Sequence, residues 1–176
     1  LSAADFERFS DDAHRAVVLA ERVARESGRE SVDTEHLLVA LADVDPDARA
    51  LLEEAGTSAA AIQQRVAEWG HAGPPVVRAV FSPSLHRAVQ RAGRLAQQER
   101  AREVTGRHLL RGLLEGDDES VLRVLLSLGV DPGVITGRPS GGGSGSGGSE
   151  SGGSGGGGGA SARRRFALLR APAWKS

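Results

Sequence analysis

The chain repeats itself. Phe9-Ser10-Asp11-Asp12-Ala13-His14-Arg15-Ala16-Val17 returns as Phe81-Ser82-Pro83-Ser84-Leu85-His86-Arg87-Ala88-Val89, 72 residues further on. The same spacing carries His36-Leu37-Leu38 onto His108-Leu109-Leu110 and Leu41 onto Leu113. A period this long exceeds a one-layer solenoid unit and has room for several helices. It predicts two similar helical halves packed as one body, an architecture that offers surfaces to partners.

Within each copy the apolar residues recur three and four apart, the spacing of a helix with one buried face. Ser10 caps a first helix with Asp11 and Asp12 in its opening turn, where acids suit the helix dipole. Ala13, Ala16, Val17, Ala20, Val23 and Ala24 form its stripe, and Gly28 stops it. A second helix follows a cap at Thr34 and buries Leu37, Leu38 and Leu41. Pro46 and Asp47 open a third, and Ser58 caps a fourth with Ile62, Val66 and Trp69 inward. Gly70 to Pro75 join the halves. In the second copy Ser82-Pro83 is a strong start signal, Thr105 caps the next helix, and Val121, Val124, Leu125 and Leu128 build the third. The fourth fails: Asp131-Pro132 starts it, but Gly133 and Gly137 follow at once. One or two turns are expected there. The fold class expected is all-α, two four-helix repeats related by a pseudo-twofold, over residues 6–138 (repeats at about 9–70 and 81–136).

Residues 139–159 are almost wholly Gly and Ser, a composition that cannot bury apolar surface and reads as a flexible linker. Residues 160–176 form a basic, apolar tail with Arg163, Arg164, Arg165, Arg170 and Lys175. The chain as a whole has a formal charge of −1. The region from Pro139 onward therefore carries +4 and residues 1–138 carry −5. The tail is expected to fold back on the acidic body near Leu125 and Leu128, or to bind nucleic acid or membrane. There is no cysteine, so thiolate catalysis and cysteine-based zinc sites are excluded. No apolar run approaches the roughly 20 residues of a membrane span, and no secretory signal opens the chain; a cytoplasmic location is expected. The start at Leu1 leaves open a trimmed fragment.

Phe6-Glu7-Arg8-Phe9-Ser10, Thr34-Glu35-His36-Leu37-Leu38-Val39-Ala40-Leu41, Phe81-Ser82-Pro83 and His108-Leu109-Leu110-Arg111-Gly112-Leu113 together resemble the Clp N-terminal repeat domain, the double four-helix module at the front of ClpA- and ClpC-type unfoldases. The resemblance covers about residues 6–136. It implies a docking platform for adaptors and substrate segments, with Clp ring components, adaptors or substrates as protein partners and without chemistry or cofactor of its own. It also implies a site for phosphorylated arginine once per repeat, made of a hydroxyl residue at the first helix start and the Glu of Thr-Glu-His. These map onto Ser10 with Glu35 and onto Ser82 with Arg107, where Arg107 reverses the sign and favours the phosphate instead. No Gly-x-x-x-x-Gly-Lys-Ser/Thr phosphate loop occurs, so this chain is no unfoldase by itself.

Other readings compete. Ser10, Thr34, Ser82 and Thr105 each stand at a helix start, where capping alone explains them. His14, His36, His86 and His108 invite a metal-assisted hydrolase, but they lie among helical apolar positions and lack the His-Glu-x-x-His spacing, so structural roles are expected and no metal site is assigned. Asp117-Asp118-Glu119 reads as a solvated acidic loop.

Overall fold

The computed structural model describes residues 7–70, 73–116 and 118–137. The linker and the tail lie outside them. The first helix of each half has 16 residues: α1 (Asp11–Glu26) and, in the second half, α5 (Pro83–Gln98). The first half continues with β1 (Ser31–Val32), α2 (Thr34–Val44), α3 (Pro46–Glu54) and α4 (Ala59–Trp69). The second opens with β2 (Val80–Phe81) before α5 and continues with α6 (Gly106–Leu114), α7 (Glu119–Ser127) and α8 (Pro132–Thr136). The chain is helical, as expected, with one addition. β1 and β2 pair in parallel, Ser31 with Val80 and Val32 with Phe81, a contact too short to leave a periodic signature.

The repeat explains this strand pair. Phe9 bridges Val104 in parallel, and shifting both by one copy, in opposite directions, gives Phe81 and Val32. The Ser10 N–H donates to the Val104 carbonyl at 3.0 Å, and the Ser82 N–H donates to the Val32 carbonyl at 3.0 Å. Each half's opening residues are therefore bonded to the other half, which is the pseudo-twofold expressed in backbone hydrogen bonds. Two aspartates repeat the pattern with side chains. Asp45, the N-cap of α3, accepts from the Ala48 N–H at 2.8 Å and from the Gly106 N–H at the start of α6. Asp118, the N-cap of α7, accepts from the Ser120 N–H at 2.9 Å and from the Thr34 hydroxyl at the start of α2 at 2.8 Å.

The helix starts arise where short polar side chains can reach the first free N–H groups. Ser10, Ser58 and Ser82 each accept from the N–H three residues on, at 3.3, 3.3 and 3.2 Å. Thr34 departs from the expectation. Asp33 is the N-cap of α2, because the Thr34 hydroxyl is spent on Asp118. By the same bond Asp118 belongs to the contact between the halves and is no solvated loop.

The core lies on α2 and α6, whose Leu37, Leu38, Leu41, Leu109, Leu110 and Leu113 are all fully buried. α1 packs on α2 and α5 on α6 through alanines: Ala13, Ala16, Ala20 and Ala24 on one side, Ala88, Ala92 and Ala96 on the other. Between the halves the chain turns back along the end of α1. Gly28 sits there with φ of 71°, and a Cβ on it would come within 2.7 Å of the Gly73 backbone, so both the backbone angle and the space require glycine. α8 has 5 residues against 11 in its counterpart α4, the shortfall that Gly133 and Gly137 foretell.

Candidate groove between α2, α4 and α7

A groove of about 680 Å³ opens between α4 of the first half and α7 of the second, with α2 along its floor. Val23, Val39, Val66 and Val124 give it an apolar lining, and Glu35, Arg29 and Arg123 bring charge to it. Trp69 stands at its edge. The helical stripe places this ring inward, but it is 41% exposed: it is the last residue of α4, and among the described residues no element covers that turn. The Arg65 guanidinium lies 5.9 Å from the ring centre and that of Arg123, from the other half, lies 5.4 Å away, both within cation–π range.

Glu35 is the second residue of α2 and half-buried. Burial pushes its carboxyl above the ordinary glutamate range, with Asp33 and Asp118 adding to the rise and a backbone hydrogen bond and Arg29 opposing it. His36 forms the other wall of this corner. Its Nδ1 accepts from the Asp33 N–H at 2.9 Å, completing a capping box at the N-cap. Burial holds the imidazole below its ordinary pKa; Arg29 lowers it further, while the Asp33 carboxylate opposes the fall. The sign of the linkage follows. A histidine kept neutral on folding adds stability above its unfolded value of about 6.5, and this is lost as pH falls through the lower folded value. Thermal melts between pH 7 and pH 5 are expected to show a loss in the parent protein and a smaller one in His36→Gln, whose amide oxygen can still accept at that cap position. Equal slopes would remove His36 as the cause.

The same capping geometry recurs in the second half, where His108 Nδ1 accepts from the Thr105 N–H at 3.0 Å. His108 Nε2 lies 3.2 Å from Glu99. His86 Nδ1 lies 3.0 Å from the Ser82 carbonyl, and His14 is exposed on α1, so neither of this second pair is a core residue. Among the described residues one group of possible metal ligands converges, Asp33, Glu35 and His36, within 4.8 Å. It holds a single histidine, and that histidine accepts the cap hydrogen bond through Nδ1, which puts its proton on Nε2. The repeated histidines do not form a shared metal centre.

The four side chains singled out by the resemblance are placed as follows. Ser10 and Ser82 are helix caps, Ser82 buried at 8% exposure. Glu35 lines the groove, and Arg107 is exposed on the first turn of α6. The backbone bonds tie Ser10 to the segment leading into Arg107, and Ser82 to the segment leading into Glu35. These backbone bonds run between the halves. Trp69, Arg29, Arg123 and Val39 were not singled out by sequence. The one available signal was a tryptophan beside a helix-ending glycine in a chain with two tryptophans.

Among the described residues the second half does not repeat the groove. Ser27 and Val39 correspond to Glu99 and Arg111, and Arg111 pairs there with Glu99 and, at 3.4 Å, with Glu115. Ion pairs stand where the first half has open lining, and the shortened α8 supplies no second wall.

The family model of the Clp repeat (R) N-terminal domain matches residues 8–132. The chain belongs to that family. Chloroplastic ClpD2 of Oryza sativa is 32% identical over 132 residues, which cover 72% of this chain and 14% of the relative. This chain thus spans about one seventh of the length of the curated relatives it matches. The solved N-terminal domain of ClpD from Arabidopsis thaliana is 27% identical with a TM-score of 0.65, covering 75% of this chain and 94% of that one. The ClpV N-domain solved with a VipB peptide shares the fold at 22% identity and a TM-score of 0.62, covering 77% and 92%. Among the described residues of this Clp N domain no helix is long and apolar enough to cross a membrane.

Proposed function

We propose that this Clp N domain docks segments of other proteins for a Clp chaperone system and performs no chemistry itself. The observation that carries the reading is the family match across residues 8–132 on a chain whose open groove is apolar and ringed by charge. Such a groove is suited to recognition by burial and charge pairing. The side chains that resemble catalytic groups are already committed: His36 and His108 cap helices, and Ser10 and Ser82 accept their own helices' N–H groups. In the same fold, the ClpV N-domain has been solved with a VipB peptide. Among the side chains drawn from the resemblance, Glu35 is the one we assign to partner contact, since it alone of the four lines the groove.

The test is direct. The full chain is applied to an immobilised array of short peptides spanning acidic, basic, apolar and mixed compositions. Selective, saturable retention of one class is expected. Retention of none, or uniform weak retention of all, would overturn the docking role.

A further inference from the structure

The two sides of the groove come from different halves. The rim carries an excess of positive charge. Arg29 and Arg123 line the groove against Glu35, which has Asp33 and Asp118 near it, and Arg65 flanks the groove beside its own partner Glu68. Among the described residues neither Arg29 nor Arg123 is in an ion pair, and Arg65 has Glu68 at 3.7 Å. This happens on a body whose formal charge is −5, so the cationic rim runs against the general field. Its apolar part is a set of valines with the exposed Trp69 ring at the edge. Tryptophan and arginine together are the residues most often found to anchor a partner. A volume of about 680 Å³ suits a few side chains of a bound segment.

We propose, resting on the docking reading above, that this groove takes an acidic segment of a partner protein studded with apolar side chains, one segment per chain. The apolar side chains lie on Val39, Val66 and Val124 against Trp69. The acidic ones face Arg29 and Arg123. Charge complementarity selects this occupant over others: a basic segment, including the chain's own arginine-rich tail, meets like charge at the rim. The second half is closed to the same ligand because Glu99 and Arg111 have replaced Ser27 and Val39 and bond each other.

The full chain carrying Trp174→Phe leaves Trp69 as the sole tryptophan. It is titrated with an acetylated seven-residue peptide alternating glutamate with leucine and phenylalanine. Two further peptides replace every glutamate by lysine, or every apolar residue by serine. Emission and calorimetry are expected to report one site per chain for the acidic peptide, weakening as salt rises. Arg29→Ser with Arg123→Ser is expected to weaken it about tenfold, which is about 1.4 kcal/mol. Arg123 is exposed and Arg29 half-buried, and circular dichroism of the double variant checks that it folds. Equal binding of the lysine peptide, two sites per chain, or unchanged affinity in the double variant would overturn the groove assignment. Failure of the acidic peptide, while the array retains peptides of another composition, overturns the groove and leaves the docking role standing. Failure of every peptide in both experiments overturns both.

Discussion

Gly106→Ala is expected to destabilise the protein by about 3 kcal/mol, the largest loss from adding a single methyl group. Gly106 opens α6, and its N–H donates to the carboxylate of Asp45 in the other half. A Cβ at 106 would overlap that carboxylate outright. Asp45 has no free path away, since it is 2% exposed and also holds the Ala48 N–H at 2.8 Å. Turning it aside forfeits an N-cap, worth about 1 kcal/mol, and strands a buried polar group at a further 1–3 kcal/mol or so. Burial already pushes the Asp45 carboxyl above the ordinary aspartate range, so it tolerates the loss of a donor poorly. Chemical denaturation of Gly106→Ala, Asp45→Ala and the double variant would read this. The two losses are expected to overlap strongly in the double variant, as they must if they break one contact. Full additivity, or a Gly106→Ala protein as stable as its parent, would sink the account.

Gly112→Ala comes next, at about 2 kcal/mol, and here the sign is the test. Alanine is the better helix former by about 1 kcal/mol, so on propensity alone the change would stabilise α6. Packing opposes it. The added Cβ would stand 2.5 Å from the Ala88 carbonyl oxygen and 2.9 Å from the Ala92 nitrogen, both backbone atoms of α5. Neither can rotate away, so the two helices must part. Overpacking of this kind costs about 1–3 kcal/mol, enough to outweigh the propensity gain. Gly112→Val is expected to lose more. The first half has Ala40 at the corresponding place, fully buried between α2 and its neighbours, so the two helix pairs differ in how closely they approach. A melting temperature that rises in Gly112→Ala would show that propensity wins.

Local features of this fold are legible in its sequence, and non-local ones are not. Ser10, Ser58 and Ser82 mark helix starts correctly because a cap is settled within four residues. The shortness of α8 follows from Gly133 and Gly137 for the same reason. Thr34 misleads because its hydroxyl bonds Asp118, 84 residues away, leaving Asp33 to cap the helix. Trp69 misleads because helical spacing reports which face it shares with Ile62 and Val66, and cannot say how much of that face the neighbouring elements cover. The groove is legible only in part. The change from Glu35 to Arg107 announces that the copies differ, but the exchange of Ser27 and Val39 for Glu99 and Arg111 acquires meaning only once those side chains are seen to bond. An internal repeat says that two segments fold alike; it does not say with which copy each one pairs. Ser10 beside Val104 is therefore invisible until the backbone is traced.

The opening residues of each copy find their hydrogen-bond partners, and each α3-type cap its second donor, on the opposite copy. A solitary copy would leave these groups unanswered and would need another molecule of itself to answer them. With both copies in one polypeptide that association does not depend on concentration.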